Sequence, residues 1–193
     1  ESQKQFLLES NFVLDEMMLS GKVLFNDPVT AYVTAVKDRI LASRPDLQKK
    51  VKIYVVKSPV VNAFATNSGA VLVNMGLIAH LENEAQLAFI LCHEIQHYVK
   101  KHPINGYVNA EKLRKNFKSL GITTVGGLLA ERSRYSRDQE QEADDLGFEL
   151  YKTSGYALSD AIGVFDVLGT AHVPFAQLPW DFDFFEFEYL RFP

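Results

Sequence analysis

A single cysteine, Cys92, stands in the 193 residues, so neither an internal disulfide framework nor a cysteine-based metal site can form. No apolar run approaches the roughly 18 residues that a membrane-spanning helix needs, so no transmembrane segment is expected in this chain. Charge of one sign does not dominate either: the formal net charge is −4, and Lys and Arg are scattered. The short cluster Lys112, Arg114, Lys115 and Lys118 alternates with apolar residues, as the wet face of a helix does. No nucleic-acid partner is therefore expected. Internal repeats and low-complexity linkers are also missing, which predicts one domain over 1–193. The chain opens on Glu1 without a visible signal peptide, the form expected of a processed or trimmed chain.

What is present is largely helical patterning. Residues 3–20 space their apolar side chains as an amphipathic helix, stopped by Gly21. Asp27-Pro28 opens a second helix to about residue 43, with Asp as N-cap and Pro in the first turn. Residues 51–56 alternate and are β-branched, and 62–66 and 70–74 flank the turn Asn67-Ser68-Gly69, which predicts a small sheet. The most strongly patterned helix follows, with Asn83 as cap and Gln86 as its capping-box partner. Its apolar set, Leu87, Ile90, Leu91, Ile95, Tyr98 and Val99, wraps nearly all round, so this helix is expected to be buried and to end at Pro103. Further helices are expected at 110–120, 137–153 and 159–169, and a loop at 121–127. The tail 174–193, rich in Phe, Asp and Glu, takes no assignment. The fold class expected is α+β: a mainly helical domain with a small sheet beside the central helix.

The central helix carries His93-Glu94-Ile95-Gln96-His97. Two histidines at i and i+4 share one helical face and can offer their imidazoles to one ion. Glu94, one residue further round, stands beside that ion and can take a proton from a water. Burying two His and a Glu among Ile, Leu and Val is costly unless a metal or hydrogen bonds satisfy them. Cys92 points about 100° away from His93 and reads as a small core residue. A catalytic zinc needs a third protein ligand and an open fourth position. A metzincin continuation would need Gly at 100 and His at 103, where this chain has Lys100 and Pro103. His102 lies on another face and is expected to cap the helix end. The better source is the segment 136–144. Glu140 is expected to ligate, with Asp144 one turn on accepting the second N–H of a ligand imidazole. Glu142 points elsewhere and is the alternative ligand.

These residues together resemble the peptidase family that includes the HtpX heat-shock protease and the CAAX prenyl protease, and within it the soluble, BepA-like branch. The resemblance covers 55–147. It is carried by Asn62-Ala63-Phe64-Ala65, Gly69, Gly76-Leu77, Asn83-Glu84, the His93–His97 pentad, and Tyr135-Ser136-Arg137 leading to Glu140 and Ala143-Asp144. It implies a gluzincin-type zincin fold with one zinc ion and a substrate bound in extended form along a sheet edge. That edge is expected at Ala70, Val71, Leu72, Val73 and Asn74, where a peptide can add a strand. A periplasmic or cell-envelope location is also implied. The chain departs from the family in the short interval between His97 and Glu140, and in carrying His172-Val173-Pro174 where a His-Pro motif is expected.

The reading is a zinc-dependent endopeptidase, expected to serve protein quality control, with Glu94 as general base and then proton donor to the leaving amine. Tyr135, Arg137 and His172 are the candidate donors to the oxyanion. The alternative is a zinc-binding chaperone or interaction module with little turnover, docking through Phe182, Phe184, Phe185, Phe187 and Tyr189. An intact Glu94 favours the enzyme, because a structural zinc site has no use for a general base.

Overall fold

A computed structural model describes residues 2–103 and 137–170. The expected helix at 110–120, the loop at 121–127, Tyr135, His172 and the tail 174–193 lie outside the described residues.

The first helix, α1 (Ser2–Leu19), ends where Gly21 adopts φ 72°. Leu14 and Met17 pack it onto one face of the sheet, against Tyr54, Val56, Phe64, Ala70 and Leu72. A two-residue strand, β1 (Val23–Leu24), leads to α2 (Pro28–Ile40). Asp27 caps α2 as expected, its Oδ1 accepting from the Val29 N–H at 2.8 Å. The helix stops at Ile40 rather than 43, because the chain turns there to reach Pro45, which opens the short α3 (Pro45–Lys50).

The sheet comprises β1, β2 (Lys52–Val56), β3 (Ala63–Ala65) and β4 (Ala70–Asn74), in the order β1-β2-β4-β3. Strands β2 and β4 run parallel, in register from Lys52 opposite Ala70 to Val56 opposite Asn74. Strands β3 and β4 form an antiparallel hairpin, with Ala65 opposite Val71, around a turn in which Gly69 takes φ 88°. This order corrects one expectation. Ala70–Asn74 is an interior strand with neighbours on both sides, and all five of its residues are buried. Its unbroken small and apolar run, Ala-Val-Leu-Val, suits a strand covered on both faces. Among the described residues, β3 is the terminal strand on that side of the sheet.

The other sheet face meets the main core. Ile53, Val55, Val71 and Val73 pack there with Val33, Val36 and Ile40 of α2 and with Leu87, Leu91 and Ile95 of the central helix. That helix, α5 (Glu84–Val99), follows the short α4 (Met75–His80). Asn83 caps α5 by accepting from the Gln86 N–H at 2.9 Å. The Gln86 side chain reaches one residue past the expected partner and accepts from the Glu82 N–H at 2.9 Å. The helix α5 ends at Val99, short of Pro103, and Lys101 adopts φ 57°, which turns the chain back toward the helix.

On the far side of α5 lies α6 (Arg137–Lys152), which buries Ala143, Gly147, Leu150 and Tyr151. The helix expected at 159–169 is two shorter ones, α7 (Leu158–Ala161) and α8 (Val164–Thr170), interrupted at Ile162-Gly163. The layers are therefore α1, the mixed sheet, α2 with α5, and α6. The architecture is α+β with a small sheet beside the helix that carries His93 and His97.

Candidate metal centre

Helical spacing stacks His93 and His97 on the side of α5 that faces α6, with ring centroids 4.6 Å apart and Nε2 atoms 2.9 Å apart. Glu94 turns toward the sheet instead. Its carboxylate is buried, and Oε2 accepts from the backbone N–H of Ala65 on β3 at 3.0 Å.

The partners from α6 reach this face because the two helices touch at a glycine. A Cβ on Gly147 would stand 3.0 Å from His93 Cα and 3.1 Å from its backbone nitrogen. One turn back, Asp144 Oδ1 lies 2.8 Å from His93 Nδ1. A further turn back, Glu140 Oε2 lies 3.4 Å from His93 Nε2 and 3.8 Å from His97 Nε2. Glu142 does point away from this group, and its carboxylate has an occupation of its own. Oε1 takes Lys100 Nζ at 2.6 Å, and Oε2 lies 2.9 Å from His102 Nε2. His102 does not cap α5. The turn at Lys101 folds it back so that its Nδ1 sits 2.9 Å from His97 Nδ1, both rings essentially fully buried. Of the candidate oxyanion donors, Arg137 is exposed in the first turn of α6.

Ionisation follows from these contacts. Burial pulls His93 down, but the Glu140 hydrogen bond and the carboxylates of Glu94 and Asp144 outweigh it and hold its pKa at about 9. His97 is driven the other way, to about 3, first by burial and then by the charge on His93. Burial lifts Glu94 to about 7 against the opposing pull of His93 and the Ala65 N–H. The hydrogen bond with His93 holds Glu140 below the usual carboxylate range, and Lys100 followed by His102 does the same for Glu142. An ionised carboxylate only accepts hydrogen bonds. Asp144 Oδ1 therefore accepts from the His93 Nδ1–H, which directs the Nε2 of that ring at His97.

The donor set suits a zinc ion. Nε2 of His93, Nε2 of His97 and a carboxylate oxygen of Glu140 all lie within 4.8 Å of one another. Tetrahedral coordination at ordinary Zn–N and Zn–O lengths sets ligand atoms about 3.3 Å apart. The separations here, 2.9, 3.4 and 3.8 Å, bracket that value. Two imidazoles and one carboxylate, with a buried glutamate beside them, match the His₂Glu pattern of hydrolytic zinc.

A model of peptidase family M48 matches residues 29–190, most of the chain. The chain belongs to peptidase family M48. It is 25% identical over 170 residues to a beta-barrel assembly-enhancing protease of Yersinia pestis, which covers 79% of this chain and 35% of that protein. Against the mitochondrial metalloendopeptidase OMA1 of Arabidopsis thaliana it is 30% identical over 124 residues, 61% of this chain and 26% of that one. Against the metalloprotease YcaL of Escherichia coli strain K12 the figure is 27% over 137 residues, 62% of this chain and 50% of that one. The chain thus spans about a third of the length of the assembly-enhancing proteases that it matches. Family M48 implies a metal, and among the described residues one group of His and acidic side chains is placed to hold it, His93, His97 and Glu140. No helix of the described residues is long and apolar enough to cross a membrane.

Sequence reasoning missed three contributors here. Local sequence puts His102 at the helix end, gives Gly147 no role and sets Ala65 on a strand without a link to Glu94. A glycine inside a strongly helical pattern was the available signal for Gly147. Nothing local signals where the turn at Lys101 sends His102.

Proposed function

We propose that this chain is the peptidase domain of a zinc-dependent endopeptidase that cleaves protein segments bound in extended form. His93, His97 and Glu140 hold the zinc, and Asp144 orients His93. A zinc ion in this ligand set supplies Lewis-acid polarisation of a carbonyl and a water acidified to near neutrality. Glu94 handles the proton. The Ala65 N–H anchors Oε2, which leaves Oε1 to take a proton from the attacking water and return it to the leaving amine nitrogen. The pKa of about 7 that burial gives Glu94 suits both transfers. Arg137, Tyr135 and His172 remain the proposed donors to the oxyanion.

The outer edge of β3 is the proposed seat of the substrate. Bonds from the Asn74 N–H to Asn62 O and from the Thr66 N–H to Ala70 O mark 62 and 66 as the hydrogen-bonded positions of the hairpin. Alternation along the ladder then turns the N–H and C=O groups of Ala63 and Ala65 away from β4. Glu94 holds the Ala65 N–H of that edge, so an added peptide strand would pair with the Ala63 groups and the Ala65 C=O and lie along the proton-transfer group. Main-chain pairing of this kind requires an unfolded or extended substrate and selects little by sequence. Similarity to proteases named for enhancing β-barrel assembly supports the proposal of a periplasmic or cell-envelope setting and a role in protein quality control.

The observation that carries the reading is the convergence of two imidazole nitrogens and a carboxylate oxygen beside a buried, edge-anchored glutamate. The test compares wild type with Glu94→Gln for zinc content and casein cleavage. Both proteins are expected to hold about one zinc, and only wild type is expected to cleave. Zinc in both with cleavage by neither would replace the enzyme by a zinc-binding interaction module. Zinc in neither would remove the metal centre.

A further inference from the structure

We propose that His102 and Glu142 form a positioning relay that fixes the tautomer and the ring orientation of His97. This inference rests on the reading that His97 holds zinc, and it adds two residues to that site that touch neither ion nor substrate.

The relay gives each proton along these contacts one place. Glu142 can only accept, so His102 Nε2 donates to its Oε2 across 2.9 Å. In the relay the Nδ1 of His102 carries the lone pair. That lone pair faces His97 Nδ1 at 2.9 Å, so the proton of that bond belongs to His97. His97 is thereby left with a bare Nε2, the atom that faces His93 Nε2 and Glu140. Asp144 does the same for His93 in a single step. The two histidines of α5 thus have outer partners drawn from different places: a carboxylate of α6 for one, and an imidazole backed by a carboxylate of α6 for the other.

The relay is built into the fold in three ways. The positive φ of Lys101 turns the chain so that His102 falls back onto His97, which an uninterrupted helix would not allow. Both rings are buried, 1% and 2% exposed, so water does not replace a lost partner freely. The far end is held from outside, because Lys100 Nζ grips the other oxygen of Glu142 at 2.6 Å. Without His102, the buried Nδ1–H of His97 loses the acceptor that His102 Nδ1 provides. The ring can then move its proton to Nε2, where it stands in the way of the metal, or rotate off its axis. Outer partners of this kind are worth about 10- to 100-fold in metal affinity.

The experiment measures the zinc dissociation constant by competition with a chromophoric chelator, using the full chain. His102→Phe keeps the ring shape without an acceptor. His102→Asn keeps an acceptor near the Nδ1 position. Expected is a loss of about 10- to 100-fold for His102→Phe and recovery of most of it in His102→Asn. Should His102→Phe not fold, Glu142→Leu carries the test from a half-exposed position, with a loss of about tenfold that Glu142→Gln restores. Long-range proton–nitrogen correlation on the metal-free protein reads the tautomers directly, with the proton expected on Nδ1 of His97 and on Nε2 of His102. A purely structural role would lower thermal stability and leave zinc affinity and tautomer alone. Wild-type zinc affinity in every folded variant, or a proton on Nε2 of His97, would overturn the relay while leaving the metal centre standing. A wild-type protein that binds no zinc would remove both.

Discussion

Replacing Gly147 by alanine tests the whole arrangement with one methyl group. The added Cβ would stand 3.0 Å from His93 Cα, 3.1 Å from its nitrogen and 3.3 Å from the Cys92 carbonyl carbon. Carbon–carbon contacts are comfortable at about 3.5–4.0 Å. All three neighbours are backbone of α5, so none can swing aside, and α6 must retreat by roughly 0.5–1 Å at this point. Two energies then compete. Overpacking costs about 1–3 kcal/mol. Removing a glycine from a helix interior returns about 1 kcal/mol. The net expectation is a destabilisation of about 0–2 kcal/mol, small enough for the protein to fold. The site is affected more. Asp144 stands 2.8 Å from His93 Nδ1, and a retreat of that size carries the pair out of hydrogen-bonding range. Glu140 rides on the same helix, and metal–ligand distances tolerate only about 0.2 Å. Zinc affinity should therefore fall by about 10- to 100-fold. Urea unfolding of the metal-free protein gives the first quantity, and chelator competition gives the second. A Gly147→Ala protein that is about 1 kcal/mol more stable and binds zinc as wild type does, the behaviour of an ordinary exposed helix glycine, would refute the argument.

Two further outcomes follow from buried titrating groups. Burial raises Glu94 from 4.5 to about 7, so the folded metal-free protein holds a proton there that the unfolded chain has released. Stability from this group is present below pH 4.5 and is lost as pH rises through 7. Metal-free Glu94→Gln should therefore gain on wild type between pH 5 and 8, by on the order of 2 kcal/mol. Urea midpoints of the two proteins across that range decide it, and a constant difference would contradict the assignment. Cys92 is fully buried and burial pushes its thiol well up, so iodoacetamide should label it only through unfolding. Native-state labelling near the rate of the urea-unfolded chain would show that α5 is not the core helix described.

Much of the site was legible because its rules are local. The i, i+4 spacing of His93 and His97 sets two imidazoles on one face whatever surrounds them. Asn83 and Asp27 announce helix starts through bonds that span two or three residues. Glu140 and Asp144 were recognisable as a pair on one helical face. The elements that escaped, β1, α3 and α4, are two to six residues long. A segment that short shows no complete hydrophobic period.

What the amino-acid sequence determined by itself was the set of chemical groups and the helices that present them. Those depend on backbone geometry and hydrogen bonds over a few residues. The tertiary structure alone decided which groups meet. Strand β4 is interior because β2 pairs with it in parallel across an intervening segment, a partnership no local pattern encodes. The edge beside Glu94 is consequently β3. Glu140 and Asp144 reach His93 because Gly147 lets two helices touch. His102 reaches His97 because one backbone angle at Lys101 reverses the chain. These meetings are set by packing between residues far apart in the chain, and packing is a property of the folded whole.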